Sequence, residues 1–88
     1  MEEKGVEENV EKWLWRMGFR VNMDGLFAKR FGRGGDAVTL FFFPDLKERG
    51  WFAGISIRDK GQRYAVDVGL YRSIADMGRL VEAIRAGH

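Results

Sequence analysis

The sequence predicts an α+β domain over residues 1–88, built on an antiparallel sheet of about four to five strands flanked by an N-terminal and a C-terminal helix. Three observations predict it. Apolar residues recur at helical spacing near both ends of the chain. The segments between them alternate apolar and polar residues with a period of two. Turn signals at Asp24-Gly25, Gly34-Gly35, Pro44 and Lys60-Gly61 divide those segments into short strands. A chain of 88 residues has room for one such domain.

Residues 2–17 read as the first helix, because Val6, Val10, Trp13, Leu14 and Met17 form one apolar stripe. Gly5 weakens the first turn and moves the start toward Val6; Gly18 supplies a stop. The early glutamates suit the positive end of the helix dipole, and Arg16 suits the last turn. Trp15 falls off the stripe, as a packing contact at an edge or between copies, or as a platform for a base.

Phe19 to Met23 alternates, Asp24-Gly25 turns the chain, and Leu26 to Phe31 resumes the alternation, which predicts a hairpin. Arg30, Gly32, Arg33, Gly34, Gly35 and Asp36 read as a flexible basic loop. It is either a connecting turn or a loop whose glycine N–H groups face a phosphate. Its spacing matches neither a Walker loop nor a dinucleotide fingerprint. Ala37 to Phe43 is a strand stopped by Pro44, with Val38, Leu40 and Phe42 on one face and Thr39, Phe41 and Phe43 on the other. Two apolar faces imply either cover on both sides or a face that binds something. Asp45 to Gly50 is a charged connection.

Residues 51–71 fold into a hairpin with Lys60-Gly61 at the turn. An uninterrupted register sets Arg58 opposite Arg63, Ile57 opposite Tyr64, Ile55 opposite Val66, Ala53 opposite Val68 and Trp51 opposite Leu70. Phe52, Gly54, Ser56 and Arg58 then share the second face with Gly69, Asp67, Ala65 and Arg63, and Tyr71 lies just beyond. Ser73 is a helix N-cap with Asp76 at the third helical position. Ile74, Met77, Val81 and Ile84 form the stripe of a helix ending near Gly87.

Composition narrows the function. Cysteine is absent, so there is no disulfide, thiolate nucleophile or Cys-based metal site. The only histidine is His88, and the carboxylates at Asp36, Asp45, Asp59 and Asp76 have turn or cap roles. Asp67 is the exception, mid-strand on the polar face, where it is expected to pair with Arg58 or with a neighbouring cation. The sequence thus reads as a non-enzyme without cofactor or metal. The acidic N-terminal segment and the absence of a long apolar run predict a cytoplasmic chain with no membrane partner. Residues 1–11 carry five Glu and one Lys, a charge of −4, which leaves +6 on the rest of a chain of net charge +2. Ten of the 15 cations are Arg, the better partner for phosphate and for stacking. Few amides, no cysteine and many charges resemble a thermophile composition. A small chain with 12 aromatic residues has apolar surface to spare, which favours a homo-oligomer.

Single-stranded nucleic-acid binders combine cationic grooves with aromatic platforms. Phe41, Phe43, Phe52 and Tyr71 alternate onto one predicted face, with Arg58, Lys60, Arg63 and Arg72 along it or at its rim. Lys29, Arg30 and Arg33 form a second basic cluster. Gly54, Ala65 and Gly69 leave room for a flat ligand, although Phe52 opposite Gly69 is also a packing device for a strand glycine. The same aromatics serve equally as core beneath a helix, so the position of the first helix decides the matter.

Tyr64-Ala-Val-Asp-Val-Gly-Leu-Tyr71 followed by a helix from Ser73 resembles the last strand and helix of the PC4-like single-stranded DNA-binding fold. The leading helix and first hairpin depart from it. In element order, size and composition the chain is more similar to the small archaeal ThermoDBP-related single-stranded nucleic-acid-binding proteins. That resemblance implies an oligomer gripping single strands through basic and aromatic surfaces. The expected function is sequence-tolerant binding of single-stranded nucleic acid, with DNA ranked before RNA. The alternative is a protein-interaction or assembly module burying Trp15, Phe41, Phe43 and Phe52 between subunits. A metal-dependent nuclease ranks third, since it needs further carboxylates converging on Asp67.

Overall fold

In the computed structural model, which describes residues 9–33 and 36–87 and only the backbone of Arg33 and Asp36, the first helix begins at a side-chain cap. Asn9 is extended, and its Oδ1 accepts the backbone N–H groups of Glu11 at 2.8 Å and Lys12 at 3.3 Å. Two otherwise orphaned amide donors are thereby satisfied, and helix α1 runs from Val10 to Arg16. The helix therefore starts later than the stripe from Val6 predicts; residues 2–8 lie outside the described residues. It ends where the sequence places the stop. Gly18 takes φ +97°, its N–H donates to Trp15, and the Phe19 N–H donates to the Leu14 carbonyl at 2.9 Å. This is a Schellman closure, with Leu14 and Phe19 both fully buried as its apolar contact.

Five strands follow: β1 (Arg20–Val21), β2 (Phe27–Arg33), β3 (Asp36–Asp45), β4 (Gly50–Asp59) and β5 (Gln62–Tyr71). They form one antiparallel meander in the order β1-β2-β3-β4-β5. The chain closes with helix α2 (Ile74–Ala86). The α+β class and the flanking helices are as the sequence predicts. The first connection is organised by Asn22, whose Oδ1 accepts from the N–H groups of Asp24 and Leu26, with Gly25 at φ +81°. The predicted basic loop is mostly strand: β2 continues to Arg33, which pairs in register with Asp36, and only residues 34–35 lie outside the description. The Lys60-Gly61 turn is as expected, with φ of +52° and +80° between the paired Asp59 and Gln62.

Both helices pack on one face of the sheet. Trp13 and Leu14 from α1 and Met77 and Val81 from α2 meet Phe27, Phe31, Leu40, Phe42 and Ala53 in one buried cluster. Ser73 Oγ accepts the Asp76 N–H at 3.1 Å and starts α2 as predicted. The Asp76 carboxylate turns outward to Arg79 rather than back to the cap.

The register of the last hairpin departs from the uninterrupted one. Arg58–Arg63 through Gly54–Asp67 pair as expected, but Ala53 pairs with Gly69, Phe52 with Leu70 and Trp51 with Tyr71. Val68 is the extra residue of a β-bulge, and Gly69 at φ +150° supplies its backbone conformation. The bulge exchanges the faces of everything after it. Tyr71 turns to the helix side, where its ring meets Phe42 edge-on at 6.5 Å, and Leu70 turns to the other.

Candidate nucleic-acid interface

Among the described residues no helix lies on the second face of the sheet, so its side chains form an open surface. Pleating places Thr39, Phe41 and Phe43 of β3 beside Ser56, Gly54 and Phe52 of β4, each pair in direct register. Phe43 and Phe52 are cross-strand partners with ring centroids 5.4 Å apart and planes at 45°. Both rings, and Phe41, are half-buried rather than covered. Leu70 stands opposite Phe52 and extends this apolar end.

The other end is cationic. Arg30 pairs in register with Thr39, and Arg58 lies between Ala37 on one side and Arg63 on the other. Arg30, Arg58 and Arg63 surround a shallow cavity of about 270 Å³ with Ala37, Thr39, Phe41 and Ser56 in its floor and walls. Two hydroxyls and three guanidinium groups therefore converge on one concavity, a donor set suited to an anionic oxygen. The six residue steps from Phe52 to Arg58 along β4 separate the two ends by ~20 Å.

The structure divides the residues singled out from the sequence. Phe41, Phe43, Phe52, Arg30, Arg58 and Arg63 share the open face. Lys60 sits at the exposed turn beside it, and the Arg33 side chain lies outside the described residues. Tyr71 is on the helix side because of the bulge. Lys29 is on that side too: its Nζ donates to the Met17 carbonyl at 2.6 Å and lies 5.3 Å from the Phe31 ring centroid. It satisfies a carbonyl at the end of α1 instead of joining Arg30 on the open face. Arg72 is held at the opposite end of the sheet by Glu48, with an ion pair of 3.4 Å and a hydrogen bond to the carbonyl of 3.3 Å.

Other expectations change with the tertiary structure. Asp67 lies opposite Gly54 and makes no ion pair among the described residues, in contrast to the pairing expected. Trp15 is half-exposed beneath the Arg20 guanidinium, which sits 4.0 Å from its ring centroid. Among the described residues no group of three or more His, Cys, Asp or Glu could hold a metal ion, and no helix is long and apolar enough to cross a membrane. Leu70 joins the open face unannounced by simple alternation; Gly69, a glycine inside a strand, was the available signal for the bulge that puts it there. Comparison with protein families, with curated proteins and with solved structures returned no match to this chain.

Proposed function

We propose that the open sheet face binds single-stranded nucleic acid with little sequence preference, DNA ahead of RNA. One observation carries this reading: the aromatic pair Phe43–Phe52 and the Arg30–Arg58–Arg63 cluster lie on the same face, opposite the one that α1 and α2 cover. Every base has a π-face, so partly exposed phenylalanines are sequence-tolerant platforms worth ~1–3 kcal/mol for each stacked base. The arginine end supplies phosphate contacts, and Thr39 and Ser56 add hydroxyl donors. Arg58 and Arg63 repel each other in the free chain, and a phosphate seated between them offsets that repulsion. The reading agrees with what the resemblance to the ThermoDBP-related proteins implies, including oligomerisation, and it requires no cofactor or catalytic group.

Fluorescence anisotropy of a labelled oligo-dT tests it. Binding at low salt is expected to weaken as salt rises, with a log–log slope near −2 if three phosphates are neutralised, at ~0.7 for each contact to a single strand. Arg58→Glu combined with Arg63→Glu is expected to weaken binding while the circular dichroism spectrum is retained. No anisotropy change at micromolar protein in low salt would refute the proposal.

A further inference from the structure

The sheet has two edges of very different character. β1 is only two residues long, whereas β5 runs for ten and is exposed from Gln62 to Asp67. A long unprotected edge presents alternate backbone N–H and C=O groups to any strand that can pair with it. Side chains along this edge separate by face. Arg63, Ala65 and Asp67 belong to the open face, and Tyr64 and Val66 to the helix face, where they stay 51% and 50% exposed because the helices cover only the far end.

We infer that β5 pairs antiparallel with β5 of a second copy of this chain, about a two-fold axis through Ala65. The sequence Arg63-Tyr-Ala-Val-Asp67 is self-complementary about that centre. Arg63 of each copy stands opposite Asp67 of the other, Tyr64 stands opposite Val66, and Ala65 stands opposite itself. Centring on Tyr64 or on Val66 leaves Arg63 without an opposed carboxylate. The chosen axis thus accounts for three charges that have no ion pair among the described residues: Arg63, Asp67 and, by relief of cross-strand repulsion, Arg58. Tyr64 and Val66 become aromatic and β-branched cross-strand partners, the combination that suits a pleated surface. The axis stands perpendicular to the sheet, so α1 and α2 of both copies lie on one side. The two open faces join into one ten-stranded surface. The pairing stands independently of the nucleic-acid reading, which it extends by bringing two Arg58–Arg63 clusters to one face.

Because the chain has no native cysteine, Ala65→Cys is a direct test. Residues opposed across an antiparallel pair have Cα atoms ~4.5–5.5 Å apart, within the range a disulfide spans. Mild oxidation of Ala65→Cys is expected to give a covalent dimer of twice 10.1 kDa, while Gln62→Cys stays monomeric on a denaturing gel. Light scattering of the unmodified protein, free of nucleic acid, is expected to give the same doubled mass. Arg63→Asp alone opposes two carboxylates at each contact and is expected to raise the dimer dissociation constant at least tenfold. It should leave the fold intact, since the new carboxylate faces Arg58. Adding Asp67→Arg restores opposite charges and is expected to recover most of the affinity. A monomer at 100 µM, or a dimer in which Ala65→Cys does not cross-link faster than Gln62→Cys, would overturn the inference. None of these readouts requires nucleic acid, so a failure here is distinct from a failure of the proposed function.

Discussion

Arg58 and Arg63 are direct cross-strand partners on the face opposite α1 and α2, and neither side chain has an ion pair or hydrogen bond among the described residues. Like charges in this relationship destabilise a sheet, whereas opposite charges contribute ~0.2–1 kcal/mol. Arg58→Glu is therefore expected to raise the urea midpoint modestly, by the equivalent of ~0.5 kcal/mol, while weakening oligo-dT binding. A parallel loss of stability and affinity would show that Arg58 serves the fold rather than a ligand.

Phe42 and Phe43 are neighbours in sequence with opposite surroundings. Phe42 is fully buried beneath the helices, and Phe43 is half-buried against Phe52 on the other face. Phe42→Ala is expected to lower unfolding stability by ~3–5 kcal/mol. Phe43→Ala is expected to cost ~1–3 kcal/mol of binding free energy to a single strand, with a smaller change in melting temperature. Denaturation and anisotropy on the two variants separate the roles.

Lys29 lies on the helix face and donates to the carbonyl that ends α1. Lys29→Met retains the apolar stem and removes the donor, so stability is expected to fall by ~1–2 kcal/mol. The salt dependence of oligo-dT binding should not change. Arg58→Gln, by contrast, is expected to make the log–log salt slope shallower by ~0.7, the value of one phosphate contact.

Gly69 holds φ +150° at the bulge, and an added Cβ would meet no atom within 4 Å. The penalty of Gly69→Ala is thus one of backbone conformation, expected at ~1–3 kcal/mol in chemical denaturation. Weakening of the Tyr71–Phe42 contact should accompany it, seen as loss of the nuclear Overhauser effects between the two rings.

Much of the fold is written in local chemistry. Period-two alternation assigns Val38, Leu40 and Phe42 to one face and Thr39, Phe41 and Phe43 to the other, as found. The Lys60-Gly61 turn, the Ser73 cap and the close of α1 at Gly18 each depend on residues within a few positions, so sequence alone determined them. What lay beyond it has a common cause. Alternation says which side chains share a face but carries no sign for which face is covered; that is decided when α1 and α2 bury Trp13, Leu14, Met77 and Val81 against the same side. One extra residue at Val68 reverses the parity of Leu70 and Tyr71, and only pairing with β4 reveals it. Lys29 reaches a carbonyl 12 residues away because the end of α1 folds over β2. Sequence thus determined the fold class, the order of the elements and which aromatic and basic residues are candidates for a binding face. Tertiary packing decided which of those residues share an open face, because cover and long-range partners depend on where whole elements come to rest.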